Sequence, residues 1–146
     1  GVANLTSTSS ITSDGYVAKY DSNGNFIWVK HLKVEVGNLL IKIDLYGNIL
    51  IGSYYNSSID FDPGVGIFNI PSFGNSDIFI LKLTSSGDFV WARRMGGVNM
   101  DVLNSISIDD QGNVYSTGYF EGTSDFNPGA GVYNFTSNNS CSPSQL

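Results

Sequence analysis

A long internal repeat restricts the fold of this chain more than any other feature of its sequence. DGYVAKYDSNGNFIW at 14–28 and DIFILKLTSSGDFVW at 77–91 share Asp, Lys, Gly, Phe and Trp at matching positions. Downstream, IDLYGNILIGSYY at 43–55 matches IDDQGNVYSTGYF at 108–120, and DFDPGVGIFN at 60–69 matches DFNPGAGVYN at 125–134, both at one common spacing. Two matched copies of so long a unit indicate a repeat architecture, in which neighbouring units bury each other's apolar faces.

Each copy contains two turns of one pattern, with Asp or Thr first, Gly fourth, and Asn or Asp fifth. The first side chain can accept a hydrogen bond from the turn backbone, and the glycine supplies the positive φ of a short hairpin. Apolar runs flank every turn, as a hairpin requires. The pattern therefore predicts hairpins that turn at Gly24, Gly47, Gly87 and Gly112.

The apolar runs predict an all-β fold without helices, because no segment shows a period of 3.6 residues. Runs such as Leu39–Ile43 and Ile78–Leu83 are apolar on both faces, which is typical of small sheets stacked face to face, as in a β-propeller. The predicted strands are 15–20, 25–30, 39–44, 48–54, 78–83, 88–93, 102–108 and 113–119, with short strands at 67–70 and 132–135.

The repeat divides the chain into a leading segment at 1–13, one propeller repeat at 14–76, a second at 77–135, and a polar tail at 136–146, for which we expect disorder. The strands amount to about two antiparallel four-stranded blades, whereas propellers close with roughly 4 to 8 blades. We therefore expect an incomplete ring, completed by further blades of a longer chain. Half a blade, a whole blade and another half is one possible phase.

These residues resemble the bacterial β-propeller units called SBBP repeats, which look like DAFVAKLDSSGNLVWA, a GG turn, and IAVDSSGNVYVTG. The matching stretches are DGYVAKYDSNGNFIWVK, DIFILKLTSSGDFVWARRMGG and SISIDDQGNVYSTGY, and together they cover most of residues 14 to 120. In the first copy, HLKVEVGN at 31–38 replaces the GG turn. The resemblance implies an extracellular or cell-surface protein with a scaffolding or binding role, and it implies no reaction.

Composition argues against several kinds of partner. Seven Lys and Arg against thirteen Asp and Glu give a net charge of -6, which disfavours nucleic acid and anionic membrane surfaces. No apolar run approaches the roughly 18 residues of a membrane-spanning helix. The single cysteine, Cys141, cannot form an internal disulfide.

The two DF(D/N)PG segments are the best candidates for a ligand site. Asp60 and Asp62 would point the same way in an extended stretch and could bind Ca²⁺, as could Asp125 and Asn127 in the second copy with one charge fewer. The alternative is that these side chains cap a tight bend before Pro and Gly. We expect no other cofactor.

Other chemically suggestive residues have structural interpretations. His31 is the only histidine, and a lone histidine at a strand end is mostly structural. The first acid of Asp109–Asp110 recurs at Asp44 whereas the second does not, which favours turn capping over paired-carboxylate catalysis. Trp28 and Trp91 occupy one repeat position, which favours packing between blades over a stacking platform for a ligand.

Two functions are compatible with these patterns. The first is a non-catalytic repeat scaffold of an extracellular or cell-surface bacterial protein, which serves adhesion or binds a protein or carbohydrate ligand through its loops. The second is the propeller portion of a secreted hydrolase or lyase that acts on polysaccharide, which would gather acids, His, Arg or Tyr at one end of the central channel. The recurring polar residues are turn residues, so the sequence favours the scaffold.

Overall fold

The described part of the chain is all-β, as predicted. A computed structural model describes residues 4–6, 14–35 and 38–138, and all regular structure in these ranges is strand, in open antiparallel sheets. The strands are β1 Asp14–Tyr20, β2 Phe26–Glu35, β3 Leu40–Ile43, β4 Ile49–Tyr55, β5 Ile59–Asp60, β6 Asn69–Ile70, β7 Asp77–Leu83, β8 Phe89–Gly97, β9 Asp101–Ile108, β10 Val114–Phe120, β11 Thr123–Asp125 and β12 Asn134–Thr136. None of these residues lies in a helix that could cross a membrane.

The four predicted hairpin turns are confirmed. Gly24, Gly47, Gly87 and Gly112 have φ angles of 83°, 79°, 81° and 86°, which an L side chain adopts only with strain. In the second turn, Oδ1 of Asp44 accepts the N–H groups of Tyr46 at 2.9 Å and Asn48 at 2.8 Å. The first residue of the pattern therefore closes the turn by the predicted hydrogen bonds.

The central sheet combines strands from both sequence repeats. β3, β4, β7 and β8 are neighbours in that order, and β11 and β12 extend the sheet beyond β8. β1 pairs with β2, β9 with β10, and β5 with β6, in separate two-stranded sheets. A four-stranded unit with the strand order of a propeller blade thus lies between two hairpins, in the order half, whole, half.

Two apolar clusters cover the two faces of the central sheet. Ile49, Ile51 and Phe79 belong to the cluster that includes Val17 and Leu32 of the β1–β2 hairpin. The intervening side chains, such as Leu50 and Ile80, point to the opposite face and belong to the cluster with Leu103 and Ile106 of β9. Burial on both faces explains why these strands are apolar without alternation.

The β1–β2 and β7–β8 hairpins are alike in detail. Tyr16 pairs with His31 as Phe79 pairs with Arg94, and both hairpins shift register just before the last residue of the leading strand. Trp28 and Trp91 lie at this equivalent position, and each is partly buried against one apolar cluster. The predicted equivalence of the two tryptophans is confirmed, and their burial is partial.

The observed bounds differ from the predicted ones mainly around the loops. The short strands β5 and β11 were not predicted from the sequence. The strand predicted at 132–135 is observed as β12 at Asn134–Thr136. Thr136, which we expected to begin a disordered tail, therefore belongs to a strand. Residues 139–146 of that tail, and residues 1–3 and 7–13 of the leading segment, lie outside the described residues.

Candidate functional site

The predicted site residues lie in two loops of the same construction. The loop between β5 and β6 contains Asp60 and Asp62, and the loop between β11 and β12 contains Asp125 and Asn127. Oδ1 of Asp60 accepts the N–H groups of Asp62 at 3.1 Å and Phe68 at 2.8 Å. Oδ1 of Asp125 accepts those of Asn127 at 2.9 Å and Tyr133 at 2.8 Å. The first acid therefore ties both ends of its loop together.

The third residue of each DF(D/N)PG segment makes the inner turn. Oδ1 of Asp62 accepts the N–H of Gly64 at 2.7 Å, and Oδ1 of Asn127 accepts that of Gly129 at 2.8 Å. A Cβ placed on Gly66 would lie 2.2 Å from Oδ2 of Asp62. The second glycine of the G-x-G pattern is thus required by the close approach of this carboxylate.

The hydrogen bonds and charges of the loops favour ionised first acids. Burial acts to raise the pKa of Asp60, but the N–H of Phe68 and the Lys33 ammonium outweigh it, so this pKa lies below its usual value. Nζ of Lys33 lies 3.0 Å from Oδ2 of Asp60. The N–H of Tyr133 is the main cause of the lowered pKa of Asp125. Each first acid is therefore held as a carboxylate within the loop.

These contacts agree with the alternative that the side chains cap the bend. In the described ranges, no three His, Cys, Asp or Glu side chains come close enough together to hold a metal ion. Any Ca²⁺ would share Asp60, Asp62, Asp125 and Asn127 with the N–H groups that they already accept. Calcium binding by these loops stays a prediction.

Phenylalanine, which lies between two polar residues in each segment, anchors both loops to the blades. Phe61 is buried, and its ring centroid lies 5.3 Å from that of Tyr55 and 4.9 Å from that of Phe79. Phe126 is half-buried, 5.2 Å from Phe120. The anchor of the first loop packs on rings of β4 and β7, whereas that of the second packs on rings of β10 and β12.

The loops present apolar side chains to solvent beyond these anchors. Val65 and Ile67 are exposed in the first loop, as are Ala130 and Val132 at the equivalent positions of the second. We call these four residues the loop-tip residues. A groove of about 260 Å³ lies between the loops, and its lining includes Phe68, Arg93, Arg94 and Pro128. The groove therefore offers an aromatic ring and two guanidinium groups.

A recurring acid–base pair was not predicted from the sequence. Asp14 Oδ2 lies 3.0 Å from Nε2 of His31, and Asp77 Oδ1 lies 3.3 Å from Nη1 of Arg94. Acid and base recur together at equivalent positions of the two repeats, which was the available signal. His31 is thus the counterpart of an arginine in an ion pair, which supports the structural interpretation over a general base.

Two buried carboxylates meet at the outer end of the central blade. Asp77 and Asp101 are fully buried, and a Cβ on Gly96 would lie 2.2 Å from an oxygen of Asp77 and 2.8 Å from one of Asp101. Asp101 accepts the Ser124 hydroxyl at 2.6 Å and the Gly97 N–H at 2.7 Å. Burial is the main cause of the raised pKa of Asp101. Asp101 thereby fastens the second insertion to the blade, whereas Asp77 accepts the Ser72 hydroxyl and fastens the end of the first insertion.

No family model matches the chain. The chain is similar to an uncharacterized WD repeat-containing protein of Acanthamoeba polyphaga mimivirus, with 26% identity over 133 residues. The match covers 84% of this chain and 9% of the viral protein, so the chain spans a small part of its relative's length. The similarity supports a β-propeller-like repeat, in agreement with the sheet order. Membership of the SBBP repeats and a bacterial origin stay predictions.

Proposed function

We propose that this chain is a non-catalytic part of a β-propeller scaffold, and that it binds a protein or carbohydrate ligand through its insertion loops. The observation that carries the proposal is the hydrogen bonding of the recurring acids. Asp44 and Asp109 close hairpins, Asp60 and Asp125 close insertion loops, and Asp77 pairs with Arg94. Side chains used in this way build the loops and leave recognition to what the loops display.

Proteins often bind ligands through side chains on rigid loops, because a rigid scaffold reduces the conformational entropy that is lost when the interface forms. Both loops are closed by the same side-chain bonds and anchored by phenylalanine, while the loop-tip residues are exposed. WD repeat proteins, of which the viral relative is one, are repeat scaffolds, and this likeness supports the same general role. An extracellular or cell-surface location is part of the proposal and rests on the resemblance to SBBP repeats.

Binding arrays test the proposal. The chain would be applied to defined glycans and to purified cell-surface proteins, beside a variant with Val65→Asp and Ile67→Asp. We expect ligands whose signal falls at least about tenfold in the variant, because two carboxylates introduced into the contact surface would lose water without gaining a partner. A Tyr46→Asp variant is the matched control, since Tyr46 is 83% exposed on a hairpin turn away from these loops.

Two results would contradict this function. Binding that is equally strong in the loop-tip variant would exclude the loops as the recognition surface. Turnover of a polysaccharide by the chain, measured as release of reducing ends and absent from a buffer control, would contradict the non-catalytic assignment. Location is tested separately by fractionating native cells with an antibody to the chain, and a purely cytosolic signal would refute a surface role.

A further inference from the structure

The second insertion, which consists of β11, β12 and the loop between them, follows the β9–β10 hairpin in the chain but is fastened to the central blade. β11 extends the sheet beyond β8, with Ser124 opposite Gly97. The two backbones approach closely, since a Cβ on Gly97 would clash with the carbonyl oxygen of Thr123. A group that strengthens or weakens this short pairing therefore controls how firmly the insertion is held.

Asp101 bridges the two paired strands from within. Its Oδ1 accepts the Ser124 hydroxyl at 2.6 Å, and its Oδ2 accepts the Gly97 N–H at 2.7 Å. Asp101 and Ser124 are both fully buried. In the first repeat, Val36 and Ile59 stand at the equivalent sequence positions, so the repeat forms its insertion there without this polar contact. The carboxyl group is therefore a particular feature of the second insertion.

A second buried carboxylate faces Asp101. Asp77 is also fully buried, and a Cβ on Gly96 would clash with an oxygen of each acid. In the described ranges, which contain every Lys, Arg and His of the chain, Arg94 is the one cation that pairs with either acid, and its Nη1 lies 3.3 Å from Oδ1 of Asp77. The Arg94 charge also acts on Asp125. Two buried carboxylates beside one cation leave a negative charge without a partner, which is costly away from water.

The other titratable groups around Asp101 add negative charge or are neutral. Glu121 precedes β11 and brings a further negative charge. Tyr55 lies opposite Asp77 in the pairing of β4 with β7, and burial raises the pKa of its phenol, which is therefore neutral. Burial is the main cause of the raised pKa of Asp101, and although the Ser124 hydroxyl acts to lower this pKa, the charges of Asp77 and Glu121 raise it further. The surroundings thus favour the protonated form of Asp101.

We propose that Asp101 is a pH-sensitive latch that holds the second insertion on the central blade. With its proton, the carboxyl group donates to the Ser124 hydroxyl through one oxygen and accepts the Gly97 N–H through the other, and it adds no charge beside Asp77. When the proton passes to water, a second charge stands beside Asp77, and the pairing of β11 with β8 weakens so that water can reach it. The second insertion is therefore held firmly in acid and is loosened as the pH rises.

The direction of the pH effect follows from the raised pKa of Asp101. An acid whose pKa is raised by folding contributes stability that is complete below its usual pKa, 3.8 for Asp, and that is lost as the pH rises through the raised value. Asp44 and Asp60 have lowered pKa values, so their carboxylates lose their stabilising effect in acid instead. Because the stability of the whole chain combines both effects, the latch has to be followed at the insertion itself.

Hydrogen–deuterium exchange of the full chain tests the latch. The exchange of each amide would be followed from about pH 4 to about pH 8 and corrected for its intrinsic rate. The protection of β11 should fall at least about tenfold over this range, because each unit by which folding raises the pKa of an acid corresponds to a tenfold change in the equilibrium. β5 of the first insertion, where Ile59 stands in place of Ser124, is the internal control and should show no such fall. Equal behaviour of β5 and β11 would overturn the proposal.

Variants assign the effect to Asp101. Asp101→Asn is neutral at every pH and can donate to Ser124 and accept from Gly97, so the protection of β11 should no longer depend on pH. Asp110→Asn, which removes an exposed acid from the β9–β10 turn, is the matched control and should keep the fall. Glu121→Gln leaves Asp101 in place and should move the fall to lower pH, because a neighbouring negative charge is removed. A pH dependence that persists in Asp101→Asn, or an Asp101 carboxyl that titrates at or below 3.8 by NMR, would overturn the latch.

The latch and the proposed function are tested separately. Exchange is measured without a ligand, so a negative result would leave recognition by the loops untouched, and negative binding arrays would leave the latch untouched. Only the coupling between the two rests on the proposed function. A ligand of the second loop should bind more weakly as the pH rises, and Asp101→Asn should remove this dependence.

Discussion

Truncation of the two anchoring phenylalanines should cost very different free energies, although the residues are equivalent in sequence. Phe61 is 2% exposed and contacts the rings of Tyr55 and Phe79, whereas Phe126 is half-buried beside the open cavity. Removing a buried Phe side chain to Ala costs about 3 to 5 kcal/mol, because the transfer free energy is lost and a cavity remains. We therefore expect Phe61→Ala to lower the free energy of unfolding by about 4 kcal/mol.

Phe126→Ala should cost much less. Full burial of a Phe side chain contributes up to about 3 kcal/mol, so half-burial contributes about 1 to 2 kcal/mol, and truncation next to an open cavity leaves no new enclosed void. The expected difference between the two variants is at least about 2 kcal/mol, well above the scatter of roughly 0.5 kcal/mol for independent sites.

Urea unfolding followed by tryptophan fluorescence measures both values, at a concentration where the chain is monomeric. If Phe61→Ala is too unstable to give a folded baseline, Phe61→Leu and Phe126→Leu provide the same comparison at smaller amplitude. Equal losses for Phe61 and Phe126 would refute the conclusion that β7 completes the aromatic cluster of the first repeat and that the second repeat lacks this contribution.

Three further predictions concern charge, metal and packing. Burial acts to raise the pKa of Asp44, but the Lys82 ammonium at 2.9 Å and the turn N–H groups outweigh it, so this pKa lies below its usual value of 3.8. The stabilising contribution of the Asp44 carboxylate is therefore present above pH 3.8 and is lost as the pH falls below that value. The difference in the free energy of unfolding between the natural chain and Asp44→Asn should therefore shrink in acid. Thr84 is the uncharged counterpart of Asp44, so the corresponding difference for Thr84→Ala should persist. Parallel pH profiles of the two variants would contradict this. Calorimetric titration with Ca²⁺ should show tighter binding by the first loop, with two carboxylates, and Asp62→Asn should weaken it; identical isotherms would remove Asp62 from any metal role. Trp91→Ala should cost about 3 kcal/mol in a thermal melt, since Trp91 is partly buried, and a loss below about 1 kcal/mol would indicate an exposed platform instead.

The sequence alone determined the hairpins, because their signals are local. A glycine with positive φ and an Asp or Thr three residues earlier act within one turn, so the four turns and their flanking strands followed directly from the pattern. The same holds for the turns within the DF(D/N)PG loops, whose backbone N–H groups bond to side chains at most eight residues away. Alternation along a short extended stretch likewise accounts for the inward orientation of Phe61 between two polar residues.

Only the tertiary structure decided which hairpins share a sheet. A repeat contains every strand of a blade in any phase, so the pairing of β4 with β7 across the repeat boundary depends on long-range contacts that the pattern leaves open. Such contacts also brought Asp77 and Asp101 together around Gly96, and paired Asp14 with His31. For the same reason, similar local sequences meet different surroundings: Phe61 is buried because β7 lies beside it, and Phe126 faces a cavity because the described chain places no strand there.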